Sequence, residues 1–265
     1  MFNKIIQWLI SLFKKEETHS EESYEQTEEA PDETEEHNIE QNEPIIQMNN
    51  YSNIMIHVDN GHASSTPGKR SPYALHKVPP ELDFYEYKFN REIASLLKSK
   101  LEEKGFKVNM VCQEVNEDVK LTTRAERANA AKKNNANMKH LFVSIHANAF
   151  GNGKEWNSAR GWSAYTTKGQ NNSDKFADCL YDAAEKILPQ YGMTIRTNKA
   201  PDGDRDYEEN FTVIYKANMP AVLTENLFFT NIEDTKFLMS DEGKNAIAEI
   251  HLQGIMSYSD KYLAK

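Results

Sequence analysis

From residue 53 to about residue 258, short runs of β-branched residues alternate with longer stretches whose apolar residues recur at helical spacing. The predicted strands cover residues 53–58, 106–111, 140–146, 160–166 and 220–225. Because helices of this length separate the strands, the connections are crossovers that join parallel strands. We therefore expect an α/β fold, a single domain with a mostly parallel, twisted central sheet flanked by helices on both faces.

Four helices are predicted between and after these strands. Residues 82–104 and 121–133 predict the first two helices, and Gly105 ends the first of them. A third helix carries an apolar stripe made of Phe176, Leu180, Ala184 and Ile187. The last helix is expected to begin after the N-cap residue Asn231 and to run to about Tyr258.

The first 48 residues have a different composition. Residues 16–44 contain 13 acidic residues, no Lys or Arg and almost no large aliphatic residue, so burial cannot offset the entropy of ordering them. We interpret residues 16–48 as an acidic disordered linker.

Residues 1–15, MFNKIIQWLISLFKK, are too short to span a bilayer. They predict an amphipathic helix at a membrane surface, with an atypical export signal or a partner-docking helix as alternatives.

The remaining residues, 49–265, are expected to form the folded domain. The net charge of -10 arises in the linker, because residues 45–265 carry 28 basic and 28 acidic residues. No long basic stripe is present, so we expect no nucleic-acid partner. Cys112 and Cys179 are far apart in the sequence and lack metal-type spacing, which favours small buried apolar groups over a disulfide.

Polar residues follow the predicted strands at the sheet edge where α/β proteins place their sites. His62 follows the first strand, His146 ends the third, and Glu225 ends the last. Glu86 adds a carboxylate near the start of the first long helix. Two imidazoles and one carboxylate match a catalytic zinc site, with Glu225 as general base and acid. Spacing alone also allows structural histidines and a helix N-terminal charge at Glu86.

Five segments then resemble, in order, the motifs of the type-3 family of zinc N-acetylmuramoyl-L-alanine amidases. They are IMIHVDNGHASSTPGKRSP, YEYKFNREIASLLKSKLEEKGFKV, LTTRAERANAAKKNNANMKHLFVSIHANAF, RGWSAY and NMPAVLTENLFFTN. The resemblance covers nearly all of residues 53–260. It implies that His62, Glu86 and His146 bind one Zn²⁺ per chain and that Glu225 is the catalytic carboxylate. Asn148 is a candidate substrate contact, or a turn residue that satisfies its own backbone.

The activity implied is hydrolysis of the amide bond between the lactyl group of N-acetylmuramic acid and L-alanine in peptidoglycan, by a zinc-activated water. A zinc peptidase acting within the stem peptide, or a non-catalytic wall-binding module on the same fold, are the alternatives. The expected location is the bacterial cell envelope, membrane-tethered or periplasmic, or the cytoplasm before lysis for a phage-encoded enzyme. The oligomeric state stays open.

The sequence also departs from the family pattern. Asn60 and Ala63 replace the usual Pro and second Gly around His62, and Leu227 stands where the family usually has Gly. Every proposed ligand is retained. We expect these replacements, together with the long substrate-facing loop predicted at residues 64–80, to change the shape of the pocket rim. Among the histidines outside the proposed site, His57, His76 and His140 are expected to be structural or surface residues.

Overall fold

The computed structural model describes residues 50–72, 78–198 and 203–263. The amphipathic helix predicted at residues 1–15, the linker predicted at residues 16–48, and His76 lie outside these ranges. Among the residues described, no helix is both long and apolar enough to cross a bilayer.

Six strands form one sheet. In chain order they are β1 (Ile54–Asp59), β2 (Lys107–Met110), β3 (Lys139–Asn148), β4 (Ser163–Thr166), β5 (Tyr207–Glu208) and β6 (Ala221–Phe228). Their spatial order is β2-β1-β3-β6-β4-β5. All neighbouring strands are parallel except the antiparallel pair of β4 and β6. The prediction of a mostly parallel sheet is confirmed.

Six α-helices surround the sheet in the described residues. They are α1 (Glu86–Glu103), α2 (Leu121–Asn134), α3 (Asn172–Ile187), α4 (Thr212–Tyr215), α5 (Ile232–Met239) and α6 (Asp241–Tyr258), with a π-helical turn at Ser259–Leu263. Two short 3₁₀ turns, Pro80–Leu82 and Leu188–Tyr191, complete the set.

The central strand β3 explains why helices cover both faces. Successive side chains of a strand point to opposite faces. Leu141, Val143 and Ile145 accordingly join the larger core cluster, to which α1, α3 and α6 contribute apolar residues. Phe142 joins a second cluster together with residues of α2 and α4. Burial on both faces produces the nearly continuous apolar run LFVSI, which is typical of a parallel strand.

Two helix boundaries differ from the predictions. The first long helix begins at Glu86 rather than near residue 82, because Tyr85 is held extended by a β-bridge to Arg70. The last helix is broken at Ser240, which ends α5 and caps α6 by accepting a hydrogen bond from the Gly243 amide. A Cβ at Gly243 would lie 1.8 Å from the Phe237 carbonyl oxygen, so the break has room for glycine alone. The short elements β5 and α4 were not predicted.

Candidate metal centre

Adjacent strands bring His146 and Glu225 side by side, because they are register partners in the pair of β3 and β6. The prediction that each residue ends its strand is wrong, since β3 continues to Asn148 and β6 to Phe228. The register shifts between His146 and Asn148, which is a bulge at the end of the pair. Polar residues that face the site interrupt the apolar pattern in both strands, and this made the strands look shorter in the sequence.

The loop after β1 carries His62 and is fastened to α1. Asn90 donates a hydrogen bond to the carbonyl of Gly61. Arg91 donates from one nitrogen to the carbonyls of Asn60 and His62. Helix α1 therefore fixes the backbone on both sides of the His62 side chain.

Glu86 is the first residue of α1 and is 1% exposed. Its Oε1 lies 2.9 Å from Nδ1 of His146 and 3.6 Å from Nε2 of His62. The same oxygen accepts a hydrogen bond of 3.3 Å from the amide of Ala147. The Lys69 ammonium, in the described part of the predicted loop 64–80, lies 3.5 Å from Glu86 Oε2. One helix N-terminus thus brings a carboxylate to both imidazoles.

These three side chains have a spacing that fits a single divalent ion. One ligand atom from each of His62, Glu86 and His146 lies within 4.8 Å of the others. Ligands at about 2.0–2.1 Å from a tetrahedral ion are separated by roughly 3.3 Å, close to the two distances above. Among the residues described, Oε2 of Glu86 and Oε2 of Glu225 are buried without a hydrogen-bond partner. Such oxygens are costly to bury unless positive charge compensates them, and beside Glu86 the Lys69 ammonium supplies part of that charge.

The two carboxylates of the site have opposite pKa shifts. For Glu86, burial opposes ionisation, but the hydrogen bond from His146 and nearby positive charge prevail and lower its pKa to about 2. For Glu225, burial raises the pKa to about 7, and the negative charge of Glu86 contributes to the rise. Burial also lowers the pKa of His62 to about 4. Glu86 is therefore ionised and ready to bind a cation, whereas Glu225 can exchange a proton near neutral pH.

Asn148 lies at the end of β3, next to this cluster in the sequence. Its side-chain oxygen accepts a hydrogen bond of 2.8 Å from the backbone amide of Ala149. This bond is the one expected of a turn residue that satisfies its own backbone. The role of Asn148 as a substrate contact stays a prediction.

A buried network beneath the site was not predicted. Asp59, at the end of β1, accepts hydrogen bonds from Ser144 at 2.7 Å and from the Cys112 thiol at 3.3 Å. Arg124 of α2 places its guanidinium 3.6 Å from Asp59 and 2.7 Å from Asp118. The signal available in the sequence was an arginine on the apolar side of a predicted helix, which needs a buried partner. Cys112 and Cys179 are both free and buried, as predicted.

Leu227 adopts a left-handed backbone conformation, with φ of 65°. A non-glycine residue rarely adopts this conformation, because its Cβ crowds the backbone. The family preference for glycine at this position, noted from the sequence, thus has a structural reason. Leu227 is fully buried.

Comparison with known proteins identifies the family of this chain. A family model described as N-acetylmuramoyl-L-alanine amidase matches residues 56–257. The chain belongs to this amidase family. The matched region includes both imidazoles and both carboxylates of the candidate metal centre.

Two relatives and a solved structure illustrate how far the similarity extends. The endolysin of Bacillus phage SPP1 is 36% identical over 135 residues, which cover 51% of this chain and 44% of the endolysin. The amidase AmiC of Neisseria meningitidis is 28% identical over 245 residues, covering 80% of this chain and 54% of AmiC. The chain therefore spans about half the length of these relatives. The crystal structure of an N-acetylmuramoyl-L-alanine amidase from Clostridium difficile 630 matches with a TM-score of 0.62 and 26% identity, covering 81% of this chain and 99% of that one.

Proposed function

We propose that the chain is a zinc-dependent N-acetylmuramoyl-L-alanine amidase, which hydrolyses the amide bond between the lactyl group of N-acetylmuramic acid and L-alanine in peptidoglycan. The observation that carries the proposal is the convergence of His62, Glu86 and His146 next to Glu225, in a chain of this amidase family. Three protein ligands with a carboxylate beside them are the usual arrangement of a hydrolytic zinc site.

In this proposal His62, Glu86 and His146 are the zinc ligands. Two imidazoles and one carboxylate are a donor set that suits zinc. Zinc bound there would supply a Lewis acid that lowers the pKa of a coordinated water toward about 7 and polarises the scissile carbonyl. Glu86 Oε1 and His146 Nδ1, 2.9 Å apart, are close enough to share the ion, and the hydrogen bonds from Asn90 and Arg91 hold the backbone around His62.

Glu225 is the proton-transfer group of this proposal. Burial raises its pKa to about 7, close to neutral pH. A group with this pKa can accept a proton from the attacking water and return it to the departing amine of L-alanine. Glu225 thereby serves both halves of the amide hydrolysis.

The proposed partner is peptidoglycan, and the proposed setting is the bacterial cell wall. The relatives include a phage endolysin and a bacterial amidase, which supports either a wall enzyme of the cell or a phage lysin. Contact of residues 1–15 with a membrane surface stays a prediction.

The test separates zinc binding from proton transfer. Glu225→Ala should retain one zinc per chain but lose hydrolysis by about 10²–10⁴-fold, because the general base is removed. His62→Ala should lose both zinc and hydrolysis. Glu126→Ala, an exposed glutamate on α2, is the matched control and should retain both. Zinc is measured by elemental mass spectrometry, and products by mass spectrometry of digested muropeptides.

Two results would contradict the proposal. An active Glu225→Ala protein would remove the assigned base. Products cut within the stem peptide, with the bond from lactyl group to L-alanine intact, would instead identify a peptidase.

A further inference from the structure

One arginine near the candidate metal centre has no partner for its charge. Arg196 lies in the segment between α3 and β5 and is half-buried. Within the described ranges, every other arginine donates a hydrogen bond from its guanidinium to a carboxylate or a carbonyl oxygen, and Arg196 does not. Its side-chain nitrogens are not sealed inside the protein, so an anion from outside can reach them.

Backbone contacts place Arg196 beside the strands that carry the site. Its amide donates a hydrogen bond of 2.7 Å to the carbonyl of Trp162, directly before β4. The next residue, Ser163, is the register partner of Glu225. Burial raises the pKa of Glu225, and the positive charge of Arg196 is one of those that oppose this rise. The guanidinium therefore lies within electrostatic range of the proposed catalytic carboxylate.

Two aromatic rings hold the Arg196 side chain. The guanidinium carbon lies 5.2 Å from the ring centroid of Tyr207 in β5 and 5.1 Å from that of Phe228 in β6. Phe228 is the register partner of Asn148, two residues beyond His146 in β3. Rings within about 6 Å attract a guanidinium and restrict its motion. Because these rings carry no net charge, they orient the arginine and leave its positive charge uncompensated.

The other cations around the site already have partners. The Lys69 ammonium lies 3.5 Å from Glu86. Arg91 donates to backbone carbonyls, and Arg124 pairs with two aspartates. In the part of the site that the structure describes, Arg196 is therefore the cation that is available to an anionic group of the substrate.

We propose that Arg196 binds a carboxylate of the stem peptide, the first free carboxylate after the scissile bond, and so favours substrates that carry it. The inference rests on the proposed amidase function. The glycan half offers no anion at this point, since its amino sugars are N-acetylated and its lactyl carboxyl forms the scissile amide.

The stem peptide supplies the anion. Its second residue is a glutamate linked through the γ-carboxyl, which leaves the α-carboxylate free. That carboxylate is within about 7 Å of the scissile nitrogen, the span of two residues. A planar guanidinium can bind both of its oxygens together, whereas an amide in its place would remove the charge.

The experiment compares two substrates that differ in this one group. Each is a chain of four sugars whose muramic acids carry L-alanyl-γ-D-glutamate, with the α-carboxyl group either free or amidated. Both are incubated with the zinc-loaded full chain, and the products are measured by mass spectrometry. The wild-type kcat/KM should be about tenfold higher for the free acid, because a charge-assisted pair of hydrogen bonds is lost with the amide.

Arg196→Gln should hydrolyse the two substrates with equal kcat/KM and should retain the wild-type zinc content. Any effect of the substitution through Glu225 changes both rates alike and cancels in their ratio. Arg205→Gln is the matched control. The Arg205 guanidinium also lies over a ring, 5.4 Å from the centroid of Tyr181, but three acidic residues of α3 already pair with it. This control should keep the wild-type ratio.

The outcomes separate this inference from the proposed function. If the wild type cuts the lactyl amide of both substrates with equal kcat/KM, the inference is wrong and the amidase function stands, and this result does not depend on the folding of any variant. The wild-type ratio in Arg196→Gln would have the same meaning. If the wild type cuts the lactyl amide of neither substrate, the proposed function and the inference are both wrong.

Discussion

Two histidine pairs lie on or just beyond the same two neighbouring strands, and their surroundings differ. His57 of β1 and His140 of β3 contact each other, with Nε2 and Nδ1 3.0 Å apart. The other nitrogen of His57 lies 2.9 Å from the Asn109 amide, and that of His140 lies 3.0 Å from the Asn135 carbonyl. Every ring nitrogen of this pair has a neutral partner, which confirms the expectation of structural histidines.

His62 and His146 form the other pair, at the carboxyl ends of the strands. Their rings meet edge to face with centroids 5.0 Å apart, and both point a nitrogen at Oε1 of Glu86. Burial does not distinguish the pairs, since His57, His140 and His146 are all buried. The difference teaches that the partners decide the role: in the structural pair the rings contact each other and neutral groups, whereas in the second pair one buried carboxylate faces both rings and creates a site for a cation.

The largest expected effect comes from removing the charge of the Glu86 carboxylate. Glu86→Gln gives the second pair a neutral amide partner, like the Asn109 partner of the first. Zinc affinity and peptidoglycan hydrolysis should each fall by about 10³-fold, because one of three ligands and several kcal/mol of charge stabilisation are lost. Zinc affinity is measured by competition with a chromophoric chelator.

The reciprocal variant is Asn109→Asp, which gives the first pair a carboxylate. It should not create a second zinc site, because His57 and His140 already use facing nitrogens in their mutual contact. Wild-type zinc affinity in Glu86→Gln, or a second zinc in Asn109→Asp, would break the comparison.

A smaller effect, on the free energy of unfolding, is expected when the pH is lowered. Burial, followed by the charges of His140 and Lys132, lowers the pKa of His57 to about 4. In the unfolded chain the pKa is about 6.5, so protons bind the unfolded state more tightly. The stabilisation from neutral His57 is therefore complete above pH 6.5 and is lost as the pH falls toward 4. Between pH 7 and 5 the loss from this one group is about 2 kcal/mol.

His57→Gln removes this titration. Urea unfolding at pH 7 and pH 5 should give a smaller loss of unfolding free energy for the variant than for the wild type, by about 2 kcal/mol. The buried His251, whose pKa burial also lowers to about 4, titrates in both proteins and cancels in the difference. Equal losses in the two proteins would mean that His57 does not stay neutral in the fold.

The sequence predicted the sheet well because its signal is local. The apolar run of β3 and the apolar stripe of α3 depend on neighbours within one element. The sequence did not predict the break at Ser240. Asp241 and Glu242 follow it, as acidic residues do at a helix N-terminus, but the apolar periodicity on both sides favoured one continuous helix. The strand ends were missed because Glu225 and Asn148 are polar where the strands reach the site.

The supports of the site could not be read from the sequence. Arg91 and Arg124 lie on different helices, and their contacts with the loop at His62 exist only after those helices pack on the sheet. Arg196 and Phe228 are brought together in the same way. Family motifs supplied the proposed ligands, whereas the residues that hold them in place required coordinates. The predictions for residues 1–48 fall outside the described residues.

The smallest expected effect on zinc binding comes from the contacts that position the loop of His62. Strand pairing fixes His57 and His140, but His62 lies beyond β1 in a loop packed against Arg124. A Cβ at Gly61 would lie 1.7 Å from Nη1 of Arg124. Arg124 cannot withdraw easily, because it is 1% exposed, donates to the Val119 carbonyl at 2.8 Å and pairs with an aspartate. The loop must therefore move instead.

Gly61→Ala should accordingly weaken zinc binding by about tenfold, the range found when residues that orient metal ligands are changed. Gly254→Ala is the matched control, since its Cβ would lie 2.5 Å from Cδ2 of Leu180 in the core between α3 and α6. Overpacking there should lower the unfolding free energy by about 1–3 kcal/mol and leave zinc affinity unchanged. If Gly61→Ala binds zinc as tightly as the wild type, the loop does not set the position of His62. In that case the position of His62 would not depend on its loop in the way that the positions of His57 and His140 depend on their strands. Glu86 alone would then be enough to position His62.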